Sequence, residues 1–537
     1  MTKEELPREM EAQWPKVEGF MDICKWRFIK PEELEYKDRP GWTEARNSLR
    51  DCRAKGFFDV LIKRYLEKIG IAIEDLEAPD DKEIQLKGEV LEKISKSRTD
   101  ATELVVKDIE KENHIYTTRN DIKTEMWIYR EGIYIPQGKT FIKEFCRKIL
   151  GEAYTSHFVN DVIGKIEADT FIDQDEFFNN NYPEIIPVQN GILNIKTKKM
   201  SPFSHEKIFF NKLPVVYDPS KECPKITKHF KTVLKDSSDA EVMFEAIGYC
   251  LLKDSKFEKA FMFCGDGRNG KSKTLEVMKR FFGVENCSSL SLEQMKENSF
   301  DVHELFGKLV NLRADLSYFG FRETGMLKML IGRDPISAPR MFLPTLTFLS
   351  HAKLIFACNE LPKIYDLTDG FWTKWILFEF PYKFITQKEK DNLPPSEREF
   401  KKIINPDIIK EITTPDELSG LLNKVLDSLA HILKEGDFSY SKGTKEVKDL
   451  WIRKSDSFLT FCMDRIEENT DSRISKKDLR KAYKCYIRKH RAKGIRVESD
   501  KGIKNTLEQE FGAYDNQEFA TQERYWEGIK FKGGVLD

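Results

Sequence analysis

The sequence predicts a multidomain α/β protein: a P-loop core, an α+β region before it, and a small basic domain of helices and strands after it. Three observations point there. The apolar run at residues 261–264 stops abruptly at Gly265-Asp266-Gly267-Arg268-Asn269-Gly270-Lys271-Ser272, which fits G-x-x-x-x-G-K-[ST]. From there to about residue 384, strand-like runs (309–312, 354–358, 375–380) alternate with helical ones (272–282, 323–331), the pattern of a largely parallel sheet. The length, 537 residues, leaves room for about three or four domains.

Composition narrows the classes. With 40% hydrophobic and 33% charged residues the chain can build cores under a charged surface, which argues against wholesale disorder. The 89 basic and 90 acidic residues leave a net charge of −1, so a polyanionic partner must be met by local patches. The longest apolar runs, 354–358 and 375–378, fall far short of the ~20 residues a membrane helix needs. Residues 1–14 are acidic and lack the basic-then-apolar order of a secretory signal, so an intracellular protein without membrane contact is expected. The ten cysteines form no C-x-x-C pair and are expected to be reduced core thiols.

In chain order, residues 1–113 are charged and helical in pattern, with apolar positions at 104, 105, 106 and 109, and carry no recognisable chemistry. Residues 114–235 form the α+β region. A hairpin is expected over 126–135 around Gly132, then helices to about 165, then a second hairpin over 185–195 in which Asn190-Gly191 suits a tight turn. Residues 236–395 form the core, opening with a helix at about 239–252. Residues 396–454 read as a helical connector and 455–537 as the separate C-terminal domain.

The glycines of 265–272 let backbone N–H groups wrap around phosphate oxygens, and the positive end of the following helix favours anions. Gly265, Asp266, Gly267, Arg268, Asn269, Gly270, Lys271 and Ser272, with Thr274 in the first helical turn, are therefore the candidate nucleotide-binding residues. Lys271 would neutralise the β- and γ-phosphates and Ser272 would hold Mg²⁺. The guanine-reading tetrad Asn-Lys-x-Asp is absent, which favours ATP. Such a site needs a carboxylate at a neighbouring strand end, and Asp315 after 309–312 is the candidate for metal and catalysis, with Glu323 as a possible helper. Asn359, ending the strand at 354–358, is placed to orient water or the γ-phosphate.

From Arg473 to Lys504 there are thirteen Lys/Arg and three acidic residues, about +10 in a neutral protein. Ser475 can cap a helix to about residue 489 with Leu479, Ala482, Tyr483 and Tyr486 inward and Lys477, Lys481, Lys484 and Arg488 outward. A second helix at about 501–511 and the run 526–531 complete a helix-helix-wing pattern suited to duplex DNA.

Beyond the phosphate loop, the segments 307–316 (GKLVNLRADL), 327–340 (LKMLIGRDPISAPR), 352–362 (AKLIFACNELP) and Asp369-Gly370-Phe371-Trp372 follow in a characteristic order. That order resembles the superfamily 3 helicases, specifically the C-terminal helicase part of plasmid, phage and large-DNA-virus primase-helicases. The likeness extends to 186–193 (IPVQNGIL) and 213–219 (LPVVYDP), similar to the pre-helicase domain, and to a winged-helix tail; it covers roughly residues 115–537. It implies an AAA+-like ATPase using ATP and Mg²⁺, assembled as a homo-oligomeric ring, usually a hexamer. Such a ring draws single-stranded DNA through its centre at a fork, with a primase or polymerase as a further partner. Residues 335–351 would be the pore hairpin and Arg340 its strand contact. Two positions depart from the family pattern. Met341 stands where relatives often carry a basic residue, and Lys374 stands where they carry the arginine that reaches a neighbour's γ-phosphate. Lysine is a point charge rather than a planar fork, so Arg333 or another arginine is an alternative for that catalytic role. Other classes that share the loop are an AAA+ switch that remodels or loads replication proteins and a small-molecule phosphotransferase; unwinding of RNA rather than DNA also stays open.

Overall fold

The computed structural model describes residues 81–121, 123–179, 182–295, 300–316, 321, 324–366, 368–489, 497–518 and 523–533. They fall into two compact units: one holds the described residues up to Ile109 together with Thr140–Lys165, the other holds the described residues of Glu110–Lys139 and from Ile166 onward. Among the described residues no helix is long and apolar enough to cross a membrane.

The first unit is helical. It takes in α1 (Asp81–Lys96), most of α2 (Arg98–Glu112), most of α3 (Gly138–Leu150) and the first turns of α4 (Ser156–Asp169). On α2 the buried set Ala101, Thr102, Val105, Val106 and Ile109 recurs at helical spacing. Lys165 reaches Glu103 at 3.0 Å and Arg98 reaches Asp161 at 3.2 Å.

The second unit opens with a four-stranded sheet of β1 (Ile115–Thr118), β2 (Met126–Arg130), β3 (Ile133–Ile135) and β4 (Phe171–Ile172), in the order β3-β2-β1-β4. The expected hairpin is β2–β3; its turn residues Glu131 and Gly132 both take positive φ (45° and 97°), as a two-residue turn between right-twisted strands requires. After α5 (Gln174–Phe178) comes a meander of β5 (Ile185–Val188), β6 (Gly191–Asn194) and β7 (Met200–Ser201). Its turn is centred one residue earlier than expected: Val188 faces Gly191, leaving Gln189-Asn190 at the bend. The Asn190 side chain is used instead to bind the backbone N–H and C=O of Tyr217.

Two helices, α6 (Pro224–Val233) and α7 (Asp239–Leu251), lead into the central layer. There β8 (Ala260–Cys264) runs into α8 (Lys271–Phe282), followed by β9 (Cys287–Ser288), β10 (Val310–Arg313) and α9 (Gly325–Ile331). A separate hairpin, β11 (Pro335–Arg340) and β12 (Leu343–Leu349), precedes β13 (Lys353–Cys358), α10 (Asp369–Trp372) and β14 (Trp375–Glu379). The sheet order is β14-β8-β13-β10-β9 and every pairing is parallel. Both faces are covered, which is why β8 and the central residues of β13 and β14 are continuously apolar. Phe261, Phe263, Ile355, Ala357, Ile376 and Phe378 share one core with residues of α7 and α8. Met262, Cys264, Leu354, Phe356, Cys358 and Leu377 face the opposite core.

Downstream, β15 (Lys383–Ile385), α11 (Gln387–Asp391), β16 (Lys401–Ile403) and α12 (Ile408–Ile412) lead to the long α13 (Pro415–Glu435) and α14 (Thr444–Ser455). Trp451 of α14 is fully buried against Trp372 and Trp375 and donates its indole N–H to the Pro362 carbonyl at 2.8 Å. The last part runs α15 (Ser457–Arg465), β17 (Ile466–Ser475), α16 (Lys476–Lys489), α17 (Asp500–Glu510), β18 (Tyr514–Gln517) and β19 (Arg524–Phe531), with sheet order β17-β19-β18. Ser475 accepts from the Asp478 N–H at 3.0 Å and so caps α16. The eight described cysteines form no disulfide; Cys485 is exposed rather than in a core, while Cys24 and Cys52 lie outside the described residues.

Behind α8, His229 of α6 is buried with its Nε2 3.2 Å from the Thr274 hydroxyl, and burial pushes its pKa down to about 4. The folded protein thus holds a neutral imidazole that the unfolded chain protonates near 6.5. Stability from this site is complete above about pH 6.5 and is lost as pH falls toward 4, by on the order of 3 kcal/mol. Denaturation across that window should show a His229→Gln variant with a flatter pH dependence than the parent protein.

Candidate functional site

The site is built where β8 ends. The chain turns through residues 265–270 and enters α8 at Lys271, with Gly265 and Gly270 at positive φ (157° and 95°). A Cβ on Gly270 would fall 2.7 Å from the Val233 side chain, and one on Gly265 would collide with the Phe380 carbonyl and the Asn269 amide, so both positions need glycine. At Gly267 an added Cβ would meet nothing within 4 Å, which leaves the mouth of the loop open. Asn269 is buried and shapes the turn: its amide donates to the Phe380 carbonyl at 3.3 Å and its oxygen accepts from Lys271 Nζ at 3.2 Å.

Lys271 is only 5% exposed. Its ammonium donates to the Gly265 carbonyl, to Asn269 and to Asn359 Oδ1 at 3.1 Å, and among the described residues it forms no ion pair with a carboxylate. Burial lowers its pKa, with Cys358, Cys264, Asp266 and Asp315 opposing that shift. Asn359 directly follows β13. Asp315 follows β10 and is exposed, and the adjacent Leu316 N–H donates to Ala357 of β13 at 3.1 Å. Three neighbouring parallel strands, β8, β13 and β10, therefore deliver Lys271, Asn359 and Asp315 to one edge of the sheet. Asp266, Gly267, Arg268 and Ser272 are exposed at the same place, Arg268 at φ 58° and 3.2 Å from Glu389.

This donor set suits a polyphosphate with a hard cation. It offers the N-terminus of a twelve-residue helix, an open loop mouth and a buried ammonium balanced only by neutral oxygens. Among the described residues no group of three or more His, Cys, Asp or Glu side chains could hold a metal alone. Ser272 and Asp315, both exposed at this edge, are the side chains there that could hold a hard cation such as magnesium together with phosphate oxygens and water.

Several expected residues lie elsewhere. Thr274 is fully buried and its hydroxyl faces His229, so it supports α8 from behind and does not line the loop. Lys374 stands just before β14, at the opposite edge of the sheet and a five-residue strand, roughly 16 Å, from the loop. There it pairs with Glu258. Arg333 is paired with Asp254 at 3.1 Å. Arg340 is not presented to solvent as a strand contact should be. Its side chain is 8% exposed and its two terminal nitrogens bond the Glu125 carboxylate at 3.0 and 2.7 Å. Lys477, Lys481, Lys484 and Arg488 do form one exposed stripe on α16, opposite the buried Leu479 and Tyr483. Glu323 lies outside the described residues.

The sequence held no signal for one cluster. Glu379, the last residue of β14, lies in register with Cys264 and is bonded by Lys454 at 2.7 Å and Lys235 at 3.2 Å. Burial raises the Glu379 pKa, but its bonds to Lys454 and the charges of both lysines outweigh burial and hold it below the ordinary value. Lys454 Nζ also lies 3.8 Å from Cys264 Sγ, which brings a second cation from α14 to the start of the phosphate loop.

Comparison with known proteins finds two family matches and several relatives. The family described as "D5 N terminal like" matches residues 63–238, and a family of unknown function, DUF5906, matches residues 263–370. "Putative helicase L207/L206" of Acanthamoeba polyphaga mimivirus is 25% identical over 347 residues, covering 62% of this chain and 36% of that protein. "Putative helicase 121R" of Invertebrate iridescent virus 3 is 24% identical over 281 residues (49% and 29%), and "Putative helicase V13" of Sputnik virophage 21% over 361 residues (64% and 44%). The chain spans less than half the length of each of these relatives. A solved apo structure of the NrS-1 C-terminal region aligns over 79% of this chain and 98% of that one, at 12% identity and a TM-score of 0.43. In the order of its motifs and in its D5_N-like segment, the chain resembles the helicase part of the primase-helicases of large DNA viruses.

Proposed function

We propose that this chain is an ATP-driven DNA helicase or translocase that works in the replication of a viral or plasmid genome, assembled as a ring. The observation that carries this is that the loop holding the buried Lys271 lies at one edge of the parallel sheet while Lys374 lies at the other. Lys374 cannot reach the loop of its own chain, but in a ring it would face the loop of the next copy. The strand order and the loop between β8 and α8 support an AAA+-like core, and the order α15, β17, α16, α17, β18, β19 supports a winged-helix domain.

ATP with Mg²⁺ would supply the phosphoanhydride whose cleavage drives movement. The backbone N–H groups of 265–270 and the N-terminus of α8 would bind the phosphates, and Lys271 would neutralise them where water is excluded. Ser272 and Asp315 would hold the metal, and Asn359, fixed by its bond to Lys271, would orient the γ-phosphate or the attacking water. A neighbour's Lys374 would add charge at the γ-phosphate, as a point charge that gives less geometric control than an arginine fork. The exposed stripe of α16 would bind duplex DNA ahead of the fork. A second function, an AAA+ switch that remodels or loads replication proteins, draws on one observation: the only cation of the hairpin, Arg340, is already paired with Glu125.

Lys271→Ala should lower DNA-stimulated ATP hydrolysis by about a hundredfold or more. Lys374→Ala should lower it comparably, and mixing the two inactive variants should restore part of it, because each supplies what its neighbour lacks. Steady-state hydrolysis over a series of mixing ratios tests this, and no recovery at any ratio would count against action in trans. Replacing Lys477, Lys481, Lys484 and Arg488 together by Ala should reduce the slope of log binding constant against log salt for duplex DNA by about 3 to 4. An unchanged slope would remove α16 from the duplex interface.

A further inference from the structure

The hairpin β11–β12 follows α9 in the stretch between β10 and β13, the two strands that deliver Asp315 and Asn359, and so is tied in sequence to that sheet edge. Residues 335–349 contain a single charged side chain, Arg340. Its guanidinium is used up: the terminal nitrogens bond Glu125, and Nε donates to the Pro344 carbonyl at 3.0 Å. Glu125 is only 11% exposed and is itself fixed, its backbone N–H bonding Thr118 Oγ1 at 3.1 Å and its carbonyl accepting from the Thr118 N–H at 2.9 Å. Opening this pair would strand a buried carboxylate, a strongly unfavourable change. The hairpin therefore has no free cation with which to follow a phosphate backbone.

Its tip offers something else. Met341 and Phe342 form the turn and are 74% and 82% exposed. Phe342 sits at φ 59°, in the left-handed region that glycine or asparagine occupies easily and a bulky aromatic residue does not. A large ring is thus held in solvent on a strained backbone. Beneath it the support is firm, with Ile336, Ala338, Leu346 and Phe348 buried and the Phe348 ring 5.5 Å from that of Phe306. Aromatic rings presented this way stack on unpaired bases without regard to sequence.

We infer that the hairpin engages single-stranded DNA by stacking Phe342, flanked by Met341, on unpaired bases, and that Arg340 is a positioning residue that braces the hairpin on Glu125. The inference rests on the nucleic-acid-translocating function proposed above and names the part of the strand that is gripped. It differs from a cationic pore hairpin in one measurable way: affinity depends on the presence of bases, and the hairpin adds no salt-sensitive term.

The test uses the full chain and fluorescence anisotropy with a short oligothymidylate and an abasic deoxyribose-phosphate oligomer of equal length, over a range of salt. Phe342→Gly relieves the left-handed strain, so its melting temperature should equal or exceed that of the parent, while its affinity for oligothymidylate falls by about tenfold. Its affinity for the abasic oligomer should be unchanged, and Phe342→Trp should retain oligothymidylate binding. Arg340→Gln combined with Glu125→Gln should leave the salt slope unaltered. Equal binding of oligothymidylate by Phe342→Gly and parent would overturn the inference, as would equal weakening toward both oligomers or a drop of about 0.7 in slope for the double variant. If the parent binds neither oligomer and hydrolyses no ATP, the proposed function itself fails. If it does both and is indifferent to Phe342, the inference alone fails.

Discussion

Lys271 is a buried ammonium whose partners are all neutral, and much of the molecule is arranged to make that tolerable. Moving such a charge out of water is costly, by several kcal/mol even after relaxation. The Gly265 carbonyl, the Asn269 amide and the Asn359 amide offset part of that cost without cancelling the charge. A carboxylate in their place would have closed an internal ion pair and left little attraction for an incoming anion. The loop glycines serve the same end: with no Cβ at 265 or 270, the backbone can fold tightly enough to bring the Gly265 carbonyl back onto the lysine.

The parallel sheet converts this local arrangement into a two-edged body. All five strands point the same way, so their C-terminal ends gather Lys271, Asn359 and Asp315, while residues just before the strands, Lys374 among them, lie at the far edge. On the near edge a chain of contacts continues outward. Glu379 binds Lys454 of α14, Trp451 of the same helix holds the Pro362 carbonyl three residues past Asn359, and Lys363 pairs with Asp456 at 2.6 Å and Glu498 at 3.0 Å. Asp456 in turn caps α15, the first helix of the C-terminal domain. The segment after Asn359 is thus joined directly to the domain that carries the basic stripe.

What was legible in the sequence was whatever depends on near neighbours in the chain. The octapeptide 265–272 announced a strand, a tight loop and a helix, and Ser475 announced the start of α16 with Leu479 and Tyr483 inward and Lys477, Lys481, Lys484 and Arg488 outward. The convergence of Asp315 and Asn359 on Lys271 followed from reading the strands as parallel. What was not legible depends on partners far away in sequence. Arg340 meets Glu125 from 215 positions off, and Lys454 meets Glu379 from 75. Thr274's place in the first turn of α8 suggests a nucleotide-binding residue, but helical geometry turns its hydroxyl toward His229 on α6. For Arg340 and Thr274 a short-range pattern singled out the residue and packing decided which way it faced; for Glu379 and Lys454 no short-range pattern existed.

The central claim, that each polyphosphate site is completed by a second copy of the chain, is tested most directly by the specific rate of ATP hydrolysis as a function of protein concentration. A rate per chain that rises steeply and then levels as the chains assemble is the predicted result. A substantial rate per chain that stays constant down to concentrations at which the protein is monomeric would contradict it.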